Sequence, residues 1–177
     1  IGTGYFGCRN EEGFFSESLF AKNAALPQVK MIELKLSQGA KPGHGGLLPA
    51  EKNTPEIAQI RNIAPHVTVH SPAAHSAFTN AVELVQFLGK LRQLAGGKPV
   101  GFKICIGRTE EFTDILNAII LTGIIPDFIV IDGAEGGTGA APLEFIDYMG
   151  MALSEALVFA TNSVKNFGLK EHIKIIA

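Results

Sequence analysis

Two stretches set glycine beside charged or amide side chains: Lys35–Pro49 (KLSQGAKPGHGGLLP) and Asp132–Pro142 (DGAEGGTGAAP), each after an apolar, strand-like run. Glycine carries no Cβ, so its backbone turns sharply and approaches a ligand closely. A strand that ends in such a turn and leads into a helix converges amide N–H groups on phosphates and cofactors. Lys35 and Gln38 stand at the first turn, and Asp132 and Glu135 at the second. A third position, Lys103 in VGFKICIG, lies inside an apolar run. Lysine is rarely buried there without a partner or a task. Cations, a carboxylate and permissive backbone are the parts of an anion or cofactor site.

The elements that must position these residues alternate. Ser16–Leu26 reads as a short helix capped by Ser16 and ended by Pro27. Met31–Leu36 is a strand with Ile32, Leu34 and Leu36 on one face and Glu33, Lys35 and Ser37 on the other. Thr54–Ala64 reads as a helix with Thr54 as cap and Pro55 in its first turn. Val67–His70 is a short strand, and Val82–Ala95 an amphipathic helix with Leu84, Leu88, Leu91 and Ala95 on one side. Val100–Ile106 and Phe128–Asp132 are strands, with a helix carrying Phe112, Ile115 and Ile119 between them. A long helix is expected directly after Pro142, its stripe running Ile146, Met149, Leu153, Leu157, Ala160 and Val164. Ile173–Ile176 closes the series as a strand.

Strands alternating with helices imply right-handed crossovers and a parallel sheet. A doubly wound sheet, covered on both faces, should be apolar on both. Here Val100, Phe102 and Ile104 oppose Gly101, Lys103 and Cys105, so one face is bulky and the other small or charged. That pattern suits a barrel with helices outside and a polar centre at the ligand end. A full barrel needs about 250 residues, and this chain has 177. The expectation is a truncated, partial (β/α)8 TIM barrel with parallel strands, residues 1–177 forming a single domain from its central part.

Composition narrows the functional classes. The chain is 46% apolar and 18% charged with a net charge of −2, which gives no basic footprint for nucleic acid. Apolar runs fall short of the ~18 residues that span a membrane, so no membrane partner is expected. Two isolated cysteines, Cys8 and Cys105, suit a reduced, cytoplasmic setting rather than a disulfide framework. The five histidines lack the helical pair with an adjacent acid that zinc uses, and no metal site is assigned. The start at Ile1 and the apolar finish IKIIA read as a fragment of a longer chain.

Four motifs in order, KLSQGAKPGHGG, the SP dipeptide Ser71–Pro72 with His75, GFKICIG with Lys103, and DGAEGGTGAAP, resemble the FMN-binding synthase domain of glutamate synthase. The opening GTGYFGCR resembles the stand-alone members, which lack the glutaminase domain. The resemblance implies an FMN-holding barrel enzyme that reduces 2-iminoglutarate, formed from 2-oxoglutarate and ammonia, to glutamate with hydride from reduced FMN. It implies a catalytic and flavin-facing role for Lys103, whose ammonium would stabilise negative charge on the reduced ring. It assigns the flavin also to Gln38, Asp132, Gly136, Gly137 and Gly139, and the oxo acid to Lys35, Gly39, Arg61 and, more weakly, Asn80. An electron-donor protein or a glutaminase subunit is the partner class it implies.

Blander readings stand beside these. Lys103 fits a structural pair with a carboxylate, Gln38 fits turn chemistry, and Arg61 a solvated helix residue. The three glycines also fit a plain strand-to-helix reversal. Lys41 faces either an anion or solvent, and Glu135 reads as a loop carboxylate ahead of a general acid. The family commonly has Gln where Leu47 stands, which opens the choice of a different small oxo acid for another FMN barrel oxidoreductase. A non-catalytic remnant that binds a partner through open barrel edges is the reading from outside enzymology. Two isolated cysteines do not support an iron–sulfur cluster within this chain, and a fragment of this length is expected to be inactive alone.

Overall fold

A computed structural model of the chain describes residues 1–41, 43–136 and 141–177. Four strands make its sheet: β1 (Ile32–Lys35), β4 (Val100–Cys105), β5 (Phe128–Asp132) and β6 (Lys174–Ile176), all parallel and adjacent in that order. A helix precedes each strand: α1 (Glu17–Ala24), α3 (Ala81–Leu94), α4 (Thr109–Thr122) and α5 (Leu153–Asn166). Strand order in the sheet therefore follows strand order in the chain, with none of the reversal that defines a doubly wound sheet. This is a stretch of α/β barrel wall.

The burial of the strands follows their period of two. Ile32, Leu34, Val100, Phe102, Ile104, Ile129 and Ile131 join one core with Leu84, Leu88 and Leu91 of α3, Phe112 and Leu116 of α4, and Ala156 and Ala160 of α5. Glu33, Lys35, Gly101, Lys103, Phe128 and Val130 point to the opposite face, outside that core. Gly101 is required there because the Phe128 ring and carbonyl occupy the space a Cβ would take. Local signals set the helix ends. Ser16 accepts from Leu19 N at 3.4 Å to start α1, and Asn80 accepts from Glu83 N at 3.0 Å to start α3. Gly123, at φ 68°, ends α4 in the left-handed conformation.

Two elements differ from the sequence expectation. The strand expected at Val67–His70 is β3 (Val69–His70), and it pairs antiparallel with β2 (Leu47–Leu48) in a separate two-stranded sheet. Between β1 and α3 the chain makes an excursion over the strand ends, through a 3-10 turn (Ala50–Lys52) and α2 (Pro55–Arg61), and β2 and β3 close it on itself. The helix expected directly after Pro142 begins only at Leu153. The backbone before it is committed elsewhere: Met151 N donates to Ile106 O at 2.8 Å and Ala134 N to Met151 O at 3.0 Å. These bonds draw the chain across the ends of β4 and β5, where Gly150 leaves room for Cys105 Sγ. Among the described residues no helix is long and apolar enough to cross a membrane.

Candidate functional site

Lys35, Lys103 and Asp132 stand on the inner face toward the carboxyl ends of β1, β4 and β5. Lys35 and Lys103 are register partners on adjacent strands, so their side chains leave the sheet side by side. Asp132 ends β5, and its Oδ2 accepts from Lys103 Nζ at 2.9 Å and from Gly39 N at 3.1 Å. One carboxylate thus ties together three elements: β4, β5 and the first glycine loop. Gly39 is the only residue type this junction admits, since a Cβ would collide with the Gly133 carbonyl.

Past Lys35, β1 continues its bonding to β4 through a side chain. Ser37 Oγ accepts from Cys105 N at 2.8 Å and donates to Cys105 O at 3.2 Å, with Leu36 N donating to Lys103 O at 2.9 Å. The loop is thereby held to the sheet as it turns. On the other side of β1, His75 Nε2–H donates to the Lys35 carbonyl at 2.8 Å. Its ring stacks on Phe78 at 5.0 Å and lies 5.3 Å from Tyr5. Burial pushes His75 below the ordinary histidine range. Its buried Nδ1 has no partner among the described residues, which suits the neutral tautomer with the proton on Nε2.

The electrostatics are lopsided. Lys35 donates to Gln38 Oε1. Burial, then the ammonium groups of Lys103 and Lys41, pull Lys35 below its ordinary 10.5, against the smaller opposing pull of Asp132 and Glu33. Lys41 is only 9% exposed and has no hydrogen-bond or ion-pair partner among the described residues. Lys35, Lys41 and Gln38 line a cleft of about 200 Å³ with Ser71, Phe6 and the backbone of Gly43–Gly46. Close approach shapes its wall, because a Cβ on Gly45 would meet the Ser71 carbonyl.

The structure therefore brings together Lys35, Gln38, Gly39, Lys103 and Asp132 from the sequence reading, and adds Lys41. The signal for Lys41 was its place in the glycine loop six residues after Lys35, and its burial follows only from the fold. The ion pair of Lys103 with a carboxylate, the blander reading, is present too. It stands at the ligand end of the strands and shares its carboxylate with Gly39, so it is a structural pair within the cluster.

The other residues lie apart. Arg61 ends α2, and its guanidinium sits 4.6 Å from the centroid of the Phe6 ring. Asn80 spends its side-chain oxygen on the α3 cap, and it faces an apolar hollow with Phe78 and Leu84 rather than the lysine cleft. Gly136 turns at φ 86° and donates to Asp147 Oδ1 at 3.1 Å. Gly137 and Gly139 lie outside the described residues. Glu135 accepts from Leu153 N at 2.8 and 2.9 Å through its two oxygens, which makes it the cap of α5. Leu47 is exposed on β2 opposite His70. Cys8 and Cys105 are buried and unpaired, and burial pushes both thiols up to about 11.

A parallel β/α wall with Lys35, Lys103 and Asp132 at the carboxyl ends of its strands defines the class: an α/β-barrel protein. Comparison with known proteins sharpens this. The family model described as the conserved region in glutamate synthase matches residues 1–177, and the chain belongs to that family. It is 41% identical over 177 residues to a glutamate synthase large subunit-like protein, YerD, of Bacillus subtilis, covering 100% of this chain and 33% of that protein. It is 39% identical over 153 residues to an archaeal glutamate synthase [NADPH] of Methanocaldococcus jannaschii, covering 86% of this chain and 29% of that protein. With a ferredoxin-dependent glutamate synthase of Antithamnion it shares 34% identity over 152 residues, 84% of this chain and 9% of that protein. The chain spans a third or less of the length of these curated relatives.

Proposed function

We propose that this chain forms the flavin- and oxo-acid-facing part of a glutamate-synthase-like FMN oxidoreductase, which reduces 2-iminoglutarate, formed from 2-oxoglutarate and ammonia, to glutamate. The observation that carries this reading is the grouping of cations at the strand ends: Lys35 feels Lys103 and Lys41 more strongly than it feels the carboxylates of Asp132 and Glu33, and Lys103 pairs with Asp132. Such a cluster stabilises a dianion and any negative charge that develops beside it. Family membership supports the same reading.

The residues present fit FMN. Lys103 offers an ammonium and Gln38 an amide whose NH2 has no partner among the described residues, the donors that the acceptor-rich edge of a flavin ring requires. Gly39 and Gly133 meet backbone to backbone, leaving the ring no side chain to displace at that junction. When bound, FMN supplies the hydride. The protein's share is positional. Asp132 holds Lys103 in place, Lys103 keeps positive charge beside the ring, and Lys35 and Lys41 hold the substrate carboxylate. The names of the relatives mention both NADPH and ferredoxin, and an electron-donor partner belongs to this proposal without a choice between them.

The test is anaerobic and uses the full-length protein. It should purify with bound flavin, and its reduced flavin should be reoxidised when 2-oxoglutarate and ammonium are added together but not by either alone. A colourless protein that takes up no FMN, or reduced flavin that ignores both substrates, overturns the proposal.

A further inference from the structure

We propose that His75 is a positioning residue for the lysine cleft: its Nε2–H pins the carbonyl of Lys35 and so holds the Lys35 side chain where it meets the substrate carboxylate. This rests on the functional reading above and adds to it the means by which Lys35 is kept in place.

β1 is the outermost described strand of its sheet, so the backbone groups on its free edge have no strand to bond. At Lys35 both are nevertheless taken. Its N–H donates to Ile1 O at 2.8 Å, and its carbonyl accepts from His75 Nε2 at 2.8 Å. The next N–H lies in the same peptide plane and points the opposite way. It belongs to Leu36 and donates to Lys103 O at 2.9 Å. The peptide that leaves Lys35 is therefore held at both ends, by β4 on one side and by an imidazole on the other. With the backbone fixed on both sides of Cα, the Cα–Cβ direction of Lys35 is fixed too. The side chain runs from there to Gln38, in the cleft that both line with Lys41.

Packing alone does not call for this ring. His75 is 6% exposed and stands among aromatic side chains, stacked on Phe78 with 28° between the planes and tilted against Tyr5. Tyr5 Oη accepts from Ala77 N at 3.1 Å, which anchors the segment that carries the imidazole. Phenylalanine would fill that slot without burying a nitrogen. Histidine leaves Nδ1 buried and without a partner among the described residues, which is unfavourable. What histidine adds is the donor on Nε2, and that donor goes to Lys35.

The test measures 2-oxoglutarate binding by calorimetry in the full-length protein. His75→Phe keeps the aromatic slot filled and removes the donor, and it should weaken binding about five-fold, the worth of one hydrogen bond. His75→Gln, whose amide nitrogen reaches the position of Nε2, should restore the native value, whereas the shorter His75→Asn should not. In a Lys35→Met background His75→Phe should cost nothing further, because the ring acts through Lys35. Should His75→Phe fail to fold, His75→Gln and His75→Asn decide by the same contrast. Native affinity in His75→Phe, equal weakening in His75→Gln and His75→Asn, or a loss that persists in the Lys35→Met background overturns this inference and leaves the functional reading standing. A native protein that binds no 2-oxoglutarate overturns both.

Discussion

The strand β5 is bracketed by two aspartates that make the same set of bonds and serve different ends. Asp127, just before the strand, accepts from Arg92 Nη2 at 2.8 Å and from Val100 N at 2.7 Å through one oxygen. Asp132, at its end, accepts from Lys103 Nζ at 2.9 Å and Gly39 N at 3.1 Å, again through one oxygen. Each carboxylate takes one cation and one backbone amide. At Asp127 the pairing is complete, since Arg92 also donates to the Ile125 carbonyl and no second cation pairs with Asp127 among the described residues. At Asp132 the cations are crowded: burial, then the ammonium groups of Lys103 and Lys41, lower Lys35. One end of the strand is a staple, and the other is the site proposed above for an anion.

The largest test of that contrast replaces the cation at each end. Lys103→Met should lower kcat of the full-length enzyme at least about a hundred-fold, since it removes charge stabilisation beside the reacting centre. Arg92→Met should cost about 1 kcal/mol of stability and leave kcat in place. Steady-state kinetics and thermal melts on both variants check this. Comparable activity losses at the two ends would break the comparison.

A smaller effect comes from pH. The folded-state pKa of Lys35 lies below its ordinary 10.5. Between those two values the unfolded chain binds more protons, so the contribution of Lys35 to stability rises with pH there. It is least favourable below the folded pKa, where the crowded ammonium is charged. A bound dianion favours that charged form. Binding of 2-oxoglutarate should therefore take up protons on the alkaline side, and affinity should fall as pH rises through the Lys35 pKa. Calorimetry in two buffers of different ionisation enthalpy measures the uptake. No uptake would mean that the excess charge at the Asp132 end is not read by the ligand.

The smallest effect sharpens the boundary of the site. Glu135 lies three residues beyond Asp132, yet its carboxylate caps α5. Glu135→Ala should lower stability by about 1 kcal/mol and leave the pH–rate profile unshifted. A lost limb in that profile would return Glu135 to the chemistry.

Much of the framework was legible in the chain because its causes are local. The alternation of Ile32, Leu34 and Val100, Phe102, Ile104 against Lys35 and Lys103 announced a sheet with one greasy and one polar face. Ser16 and Thr54 marked helix starts as side chains that satisfy free amides. The misreadings share one origin. Met149 continues the helical stripe of Leu153 and Leu157, but Met151 is held by Ile106 and Ala134, in the segments that follow β4 and β5, and periodicity carries no information about such distant partners. Val69 and His70 look like any short strand, and their antiparallel pairing with Leu47 and Leu48 depends on how the excursion after β1 folds back.

The sequence by itself determined the repeating β/α order, the face each strand residue takes, and the residue types available for anion chemistry. These follow from period, capping and composition, which act over a few residues. Only the tertiary structure decided which of those residues meet. It put Asp132 between Lys103 and Gly39, buried Lys41 beside Lys35, laid Arg61 on Phe6 and gave Glu135 and Asn80 to helix caps. Those assignments join positions dozens of residues apart, and only the packing of strands and loops against one another brings them within bonding distance.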